Sequence, residues 1–229
     1  MEQLHGGYTL NLCEGAFPLS TDSMLLAHFV RLPRNANVLD LGAGCGTLGL
    51  LLCAKDSGCK VTGIELDSAA HETALQNISS NHLSSRMQSI CADLSHISSF
   101  LPPNSFSCCV SNPPYFSAGQ VSKNTPLARH DHQCSIEDLF QAAAWSLKYG
   151  GDFFLVHKPQ RLAELFHSAC KVKLEPKQIT LVRHQPDSPM SIVLVQCRKG
   201  AKPGLIWHDL CLFDQDGNAT PEYQKIYHI

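Results

Sequence analysis

The chain has 229 residues, of which 44% are hydrophobic and 17% charged, and its formal net charge is −2. These values predict a soluble globular protein with one full-sized domain. No apolar run is long enough to cross a membrane, no signal-peptide pattern opens the sequence, and neither a CxxC pair nor an HExxH motif is present. We therefore expect a cytoplasmic protein with reduced cysteines, no metal site and no membrane segment.

In chain order, strand-like and helix-like segments alternate after a predicted helix at 21–30. Strands are predicted at 37–44, 60–67, 87–93, 105–112, 152–157, 178–184 and 191–197. Helices are predicted at 47–56, 68–82 (with Ser68 as N-cap), 135–151 (ending on two glycines) and 161–171. This alternation indicates an α/β fold, namely a Rossmann-like, doubly wound, mostly parallel seven-stranded sheet.

The connection between the last two predicted strands is short, so they should form an antiparallel hairpin at one edge of the sheet. Residues 1–30 are predicted to be an N-terminal extension that packs on the core. Residues 31–229 are predicted to form the main domain, with a C-terminal tail at 203–229 for which the pattern predicts no structure.

A glycine-rich turn, VLDLGAGCG (38–46), follows the first core strand. Such a turn lets the backbone approach a ligand at the start of a helix. Its spacing is GxGxG rather than GxGxxG, and Asp40 precedes the first glycine. A carboxylate would repel a pyrophosphate and attract an ammonium group, so the turn favours S-adenosylmethionine over a nicotinamide dinucleotide.

Acidic residues end the next two predicted strands. Glu65 lies 21 residues after Gly44, the distance at which an acid binds ribose hydroxyls in this type of fold. Asp93 is a candidate acceptor for an adenine amino group, with Leu94 beside the ring, although an aspartate there is also a natural helix N-cap. Carboxyl ends of parallel strands meet at one edge of the sheet, so the sequence predicts one ligand crevice.

The segment SNPPYF (111–116) ends the fourth predicted strand at the same edge. Two prolines fix the backbone and remove two N–H donors, so the segment is predicted to be rigid. The Asn112 side chain and the Pro113 backbone each offer a carbonyl acceptor, and Tyr115 offers a stacking face. This arrangement favours a planar amine that donates two hydrogen bonds and attacks a methyl group held in line.

With these motifs, the sequence resembles class I S-adenosylmethionine-dependent methyltransferases that modify planar nitrogens. The segments FPLSTDSMLLAHFV (17–30), PLARHDHQCSIEDLF (126–140) and FFLVHKPQRLAELF (153–166) resemble the bacterial tRNA(Val) N6-adenine methyltransferases. That resemblance implies transfer of a methyl group to N6 of an adenine beside the anticodon of a tRNA. We expect the enzyme to be a monomer.

The resemblance also implies roles for individual residues. Cofactor-binding roles fall on Thr21, Asp22, Asp40, Gly42, Gly44, Gly46, Glu65, Leu66, Asp93, Leu94 and Asn112. The catalytic segment is Asn112, Pro113, Pro114 and Tyr115, and substrate-binding roles fall on Tyr115, Lys123, Arg129 and His130.

Charge is unevenly distributed along the sequence. Residues 120–202 contain 12 Lys and Arg against 7 Asp and Glu, a net charge of +5 that is compatible with a phosphate-facing surface. Two alternatives remain open from the sequence. One is glutamine N5 methylation of a protein, and the other is a non-catalytic module that binds RNA or another partner.

Overall fold

The computed structural model describes residues 2–4, 6–16, 19–114 and 134–227. Ten strands are present in this part of the chain. They are β1 (Glu2–Gln3), β2 (Thr9–Leu10), β3 (Asn37–Leu41), β4 (Lys60–Glu65), β5 (Met87–Cys91), β6 (Phe106–Ser111), β7 (Leu147–His157), β8 (Leu174–Arg183), β9 (Met190–Lys199) and β10 (Ile206–Cys211). The first two form a separate antiparallel pair, and the other eight form one sheet.

Six α-helices connect or flank these strands. They are α1 (Thr21–Phe29), α2 (Thr47–Lys55), α3 (Ser68–Ser80), α4 (Ile136–Ser146), α5 (Leu162–Lys171) and α6 (Pro221–Tyr227). Two short 3₁₀ helices span Leu94–Ser99 and Pro159–Arg161. No helix in the described ranges is both long enough and apolar enough to span a membrane.

The strand order in the large sheet is β10-β8-β9-β7-β6-β3-β4-β5. Only β9 runs antiparallel to its neighbours, β7 and β8. The doubly wound, mostly parallel sheet and its antiparallel pair are as predicted. The sheet has eight strands rather than seven, because β10 pairs in parallel with β8. The β8–β9 pair is therefore not at the edge, which is formed by β10.

Both faces of the sheet are covered by helices. On one face, α1 and α2 pack on residues such as Phe154, whose ring meets Phe29 edge-on at 5.7 Å. On the other face, α4 and α5 cover a second core, in which the rings of Phe140 and Phe153 lie 5.3 Å apart. Burial on both faces explains why the central strands are nearly continuous apolar runs.

Two local predictions are wrong. The helix predicted at 135–151 ends at Ser146, and the two glycines belong to β7, whose first residue Leu147 pairs with Phe106. The N-cap of α3 is Asp67 rather than Ser68, because the Asp67 side chain accepts the backbone N–H of Ala70. In both cases the residues predicted at the helix end are of a type that occurs there, but contacts with the rest of the fold place the end of the helix at a different residue.

The division of the chain at residue 30 into an N-terminal extension and a main domain stays a prediction.

The side chain of Lys55, the last residue of α2, binds the backbone at the end of α1. Its ammonium donates to the backbone oxygens of Ala27, His28 and Val30 at 2.8, 2.9 and 2.7 Å. These carbonyls are among the acceptors that a helix end leaves without a partner inside the helix. Lys55 thus holds the segment before β3 against the core.

We expect Lys55→Met to lower the free energy of unfolding by about 1–2 kcal/mol, because the charged hydrogen bonds are lost while the apolar stem remains. Urea unfolding followed by circular dichroism measures this change. Lys60→Met, a change at an exposed residue of β4, is the matched control. Equal midpoints for the two variants would contradict the role of Lys55.

Candidate active site

The glycine-rich turn joins β3 to α2 and is tied to the end of β4. The backbone N–H groups of Gly42 and Ala43 both donate to the Ile64 oxygen. Gly44 has φ +54°, and its N–H donates to Oε2 of Glu65 at 2.7 Å. A side chain at Gly44 would meet no atom within 4 Å, so the turn faces open space. The backbone is thus positioned for a ligand to approach it closely.

Gly46 closes the turn as the N-cap of α2, with φ +87°. This left-handed conformation favours glycine, and a β-carbon would also lie 2.9 Å from Cε of Met87, so the end of that side chain would have to move. The turn therefore packs tightly against the core on one side while it is open on the other.

Asp40 lies beneath this turn and is almost completely buried, with 1% of its surface exposed. No hydrogen bond of normal geometry reaches either carboxylate oxygen from the described residues. Burial, and then the negative charge of Glu65, raise the pKa of Asp40 to about 7, while the backbone N–H of Gly49 opposes this rise. A buried carboxyl group without a partner is costly, and a cationic ligand group would relieve that cost.

Glu65 is at the end of β4, where both of its oxygens accept backbone hydrogen bonds. Oε2 accepts from Gly44, and Oε1 accepts from Asp67 at 2.8 Å. Each carboxylate oxygen can accept a second hydrogen bond, and the residue is partly exposed. The orientation of Glu65 is therefore fixed while acceptor capacity remains for a vicinal diol such as a ribose.

We expect Glu65→Gln to weaken S-adenosylmethionine binding about 10-fold. Glutamine has only one acceptor oxygen, so either the Gly44 or the Asp67 N–H loses its partner and the turn is less well held. Isothermal titration calorimetry measures the affinity. Glu72→Gln, on an exposed position of α3, is the control. An unchanged affinity for Glu65→Gln would remove this residue from the proposed site.

Leu66, Asp93 and Leu94 follow the neighbouring strands β4 and β5. Leu66 is 48% exposed, and Leu94 is partly buried. Asp93 caps the 3₁₀ helix, since its Oδ1 accepts from the backbone N–H and hydroxyl of Ser95 at 2.8 and 2.7 Å. The N-cap alternative is thus observed for Asp93, and its contact with an adenine stays a proposal. The two leucines are the apolar groups available beside a planar ring.

The segment after β6 lies at the same edge of the sheet. The hydroxyl of Ser111 donates to the backbone oxygen of Leu41 at 2.7 Å, which joins the ends of β6 and β3. Asn112 and Pro113 are partly buried, and Pro114 is exposed. The structure therefore brings Asn112 to the strand ends that also present the glycine-rich turn.

Ser23 is a contact of Asn112 that the sequence analysis missed. The Asn112 side-chain nitrogen donates to the Ser23 hydroxyl at 3.0 Å, and Ser23 is buried in α1. Because the amide nitrogen of Asn112 donates to Ser23, the amide oxygen points away from Ser23 and can accept a hydrogen bond from another group. The two residues are 89 positions apart, so only the adjacent prediction for Thr21 and Asp22 hinted at this contact.

Thr21 and Asp22 form the first turn of α1, which begins after the N-cap Ser20. Ser23 follows them directly, so this turn lies next to Asn112, consistent with their predicted place near the cofactor. Tyr227 in α6 interacts with the Thr21 side chain. The predicted residues Tyr115, Lys123, Arg129 and His130 lie outside the described residues.

The structure also bears on the cysteines and on metal binding. All eleven cysteines are free, including Cys13 and Cys45, whose sulfur atoms are 3.6 Å apart. In the described ranges, no three His, Cys, Asp or Glu side chains are grouped as metal ligands.

The mostly parallel sheet with one antiparallel strand, the glycine-rich turn after β3 and the acid at the end of β4 are the arrangement of the class I methyltransferase fold. Among solved structures, a predicted O-methyltransferase from Agrobacterium tumefaciens, protein Atu636, superposes with a TM-score of 0.77 at 24% identity, covering 91% of this chain and 96% of that one. A geranyl diphosphate methyltransferase in complex with SAM superposes with a TM-score of 0.59 at 12% identity, covering 77% and 84%. At these levels of sequence identity, the two structural similarities support the fold and not a particular activity.

Sequence comparison is more specific. A protein named tRNA1(Val) (adenine(37)-N6)-methyltransferase from Shewanella sediminis is 30% identical over 221 residues, 91% of this chain and 90% of the relative. A protein of the same name from Haemophilus influenzae is 28% identical over 225 residues, 96% and 93% of the two chains. Residues 18–177 match the family model described as methyltransferase small domain, and the chain belongs to this family.

Proposed function

We propose that this protein transfers a methyl group to N6 of an adenine beside the anticodon of a tRNA. S-adenosylmethionine, the cofactor, supplies the methyl group. The observation that carries the proposal is the Asn112 amide, whose nitrogen is held by Ser23 at the strand ends that present Asp40 and Glu65. A planar amine is the substrate group that matches an acceptor fixed in this way.

The roles proposed for this chain's residues follow from their chemistry. Asp40 pairs with the ammonium of the cofactor, and Glu65 accepts from its ribose. Asn112 Oδ1 and the Pro113 carbonyl accept the two N–H groups of the target amine, and Tyr115 stacks on the base. Two accepted hydrogen bonds orient the nitrogen lone pair towards the methyl group, so orientation supplies much of the rate. No general base is required before attack, because the proton can leave afterwards.

The choice of tRNA is supported by relatives named tRNA1(Val) (adenine(37)-N6)-methyltransferase, which align over nearly the whole chain. The net positive charge of residues 120–202 suits a polyanionic substrate. A target base in a single-stranded loop can leave its stack at low cost, so few contacts are needed around it. We propose that Lys123, Arg129 and His130 contact phosphates of the RNA. We also propose that the protein is cytoplasmic.

The test is methylation in vitro with unmodified tRNA transcripts and purified protein, followed by mass spectrometry of the nucleosides. We expect N6-methyladenosine in a tRNA with adenine beside its anticodon, and none in a transcript in which guanine replaces that adenine. Methyl transfer to glutamine of a protein substrate, with none to tRNA, would favour the first alternative. Cofactor binding without any methyl transfer would favour the non-catalytic one.

A further inference from the structure

A cluster of lysines and exposed aromatic rings, in which only Lys177 is partly buried, lies near the amino ends of β7, β8 and β10. It consists of Lys148, Tyr149, Lys173, Lys177, Lys202 and Trp207, and we call it the lysine surface. Because β8 runs parallel to β7, its first residues lie at the amino end of the parallel strands, away from Asn112. Trp207 is level with Ser111 along the strands but lies four strands away from it, so the lysine surface does not include the site described above.

Hydrogen bonds join the lysine surface into one patch. The Tyr149 hydroxyl donates to the Gly200 oxygen at 2.8 Å, and the Gly200 N–H donates to the Lys173 oxygen at 2.9 Å. The Lys177 ammonium donates to the Lys202 oxygen at 2.9 Å. Trp207 in β10 pairs with Ile179, two residues beyond Lys177 in β8. The six residues thus form a continuous surface across three segments of the chain.

The charge of this surface is not neutralised by neighbouring acids. In the described part of the chain, no carboxylate forms an ion pair with any of its four lysines, whereas Lys171, Arg161, Arg183 and Arg198 each have an acidic partner. Lys199 is also engaged, by backbone oxygens of Ala144 and Leu147. Four of the twelve cationic residues of the segment 120–202 therefore lie on the lysine surface without an ion-pair partner among the described residues.

The two aromatic side chains are unusually exposed for their size. Tyr149 is 80% exposed, and Trp207 is 57% exposed. Rings of this kind among unpaired lysines are typical of nucleic-acid binding, since the lysines contact phosphates and the rings stack on bases or lie along the sugar backbone. An acidic protein could match both the charge and the rings, since Tyr and Trp are also common in protein interfaces, but the proposed substrate is already a polyanion that this protein must bind.

We propose that the lysine surface is a second contact for the tRNA, remote from the target adenine. This inference rests on the proposed function, because the occupant is the same RNA that presents its adenine to Asn112. Lys148 follows Leu147, which pairs with Phe106, so about six residues of β6, or about 20 Å, separate its level from Asn112. Trp207 lies four strands from Ser111, which is also about 20 Å, so one RNA must cover about that distance to reach both places. A whole tRNA would reach both places, whereas a short anticodon hairpin would reach only the active site.

The experiment compares binding of whole tRNA and of the anticodon hairpin by fluorescence anisotropy at several salt concentrations. The test variant carries Lys173→Gln, Lys177→Gln and Lys202→Gln. The control variant carries Arg34→Gln, Lys60→Gln and Lys225→Gln, which remove the same charge from exposed positions outside the lysine surface. Thermal unfolding verifies that both variants are folded.

For the test variant, we expect whole tRNA to bind about 10-fold more weakly, with a slope against log salt reduced by about 2–3, and hairpin binding to be unchanged. The control variant should bind both RNAs like the wild type. Equal binding of whole tRNA by the two variants, or an equal loss for tRNA and hairpin, would overturn the inference. Failure of the wild type to methylate tRNA would instead refute the proposed function, and the binding comparison would still test the surface.

Discussion

Replacing Asn112 by alanine should lower kcat for methyl transfer by about 10³-fold while leaving the affinity for S-adenosylmethionine within about twofold. The amide oxygen is proposed to accept from the target amine, and loss of one oriented hydrogen-bonding group in an active site costs about 10²–10³-fold or more. Radiolabelled methyl transfer measures kcat, and calorimetry measures cofactor binding. A large loss of kcat with unchanged cofactor affinity would indicate a catalytic role for Asn112. A loss of both would indicate a structural role.

Ser23→Ala is the companion variant, because it leaves the acceptor in place and removes only the contact that orients it. We expect kcat to fall about 10-fold, which corresponds to one hydrogen bond, with no change in cofactor affinity. Wild-type turnover in Asn112→Ala would reject the amine-holding role. A larger loss in Ser23→Ala than in Asn112→Ala would show that Ser23 acts in some other way.

Asp40→Asn should remove a pH dependence of cofactor binding. The pKa of Asp40 is raised from 3.8 to about 7, mainly by burial, so the unliganded protein holds a proton there below that pH. An ammonium group pairs with the ionised form, so we expect wild-type affinity to rise about eightfold between pH 6 and pH 7.5. In Asp40→Asn, the affinity should be lower at pH 7.5 and nearly independent of pH over this range.

The same substitution should stabilise the unliganded protein at high pH. A carboxyl group whose pKa is raised on folding contributes stability that is present below pH 3.8 and is lost as pH rises through about 7. At pH 8 the ionised Asp40 therefore costs up to about 4 kcal/mol, which asparagine removes in part. Urea unfolding at pH 5 and pH 8 measures this difference, with Asp216→Asn at an exposed position as control. A variant that is destabilised at pH 8 would contradict the burial argument.

The predicted fold followed from the alternation of apolar runs with amphipathic segments, which is a local property of the sequence. β10 was missed because four of its six residues are exposed and IWHDLC shows no clear alternation. It is a strand because its backbone completes the hydrogen bonds of β8, and a partner about 30 residues away is not visible in a short window. α4 ends earlier than predicted for the same reason, because Leu147 pairs with Phe106 of the distant strand β6.

The residues of the candidate site that lie at or near strand ends could be predicted from the sequence. Asp40, Glu65 and Asn112 meet because parallel strands place their carboxyl ends together, which the sequence pattern implies. Ser23 was not predictable, because nothing near it in the sequence identifies Asn112 as its partner. The cap made by Asp93 was an open alternative that needed the position of Ser95 to resolve it.

The contact between Ser23 and Asn112 also links catalysis to the completion of folding. α1 carries Ser23; Lys55 binds the end of this helix, and Tyr227 of α6 interacts with Thr21 at its start. Ile226 of α6 is buried in the same core as Leu25 and Leu26 of α1. We therefore expect the Asn112 amide to be fully oriented only when α6 has packed against α1, which requires that residues 221–227 have left the ribosome.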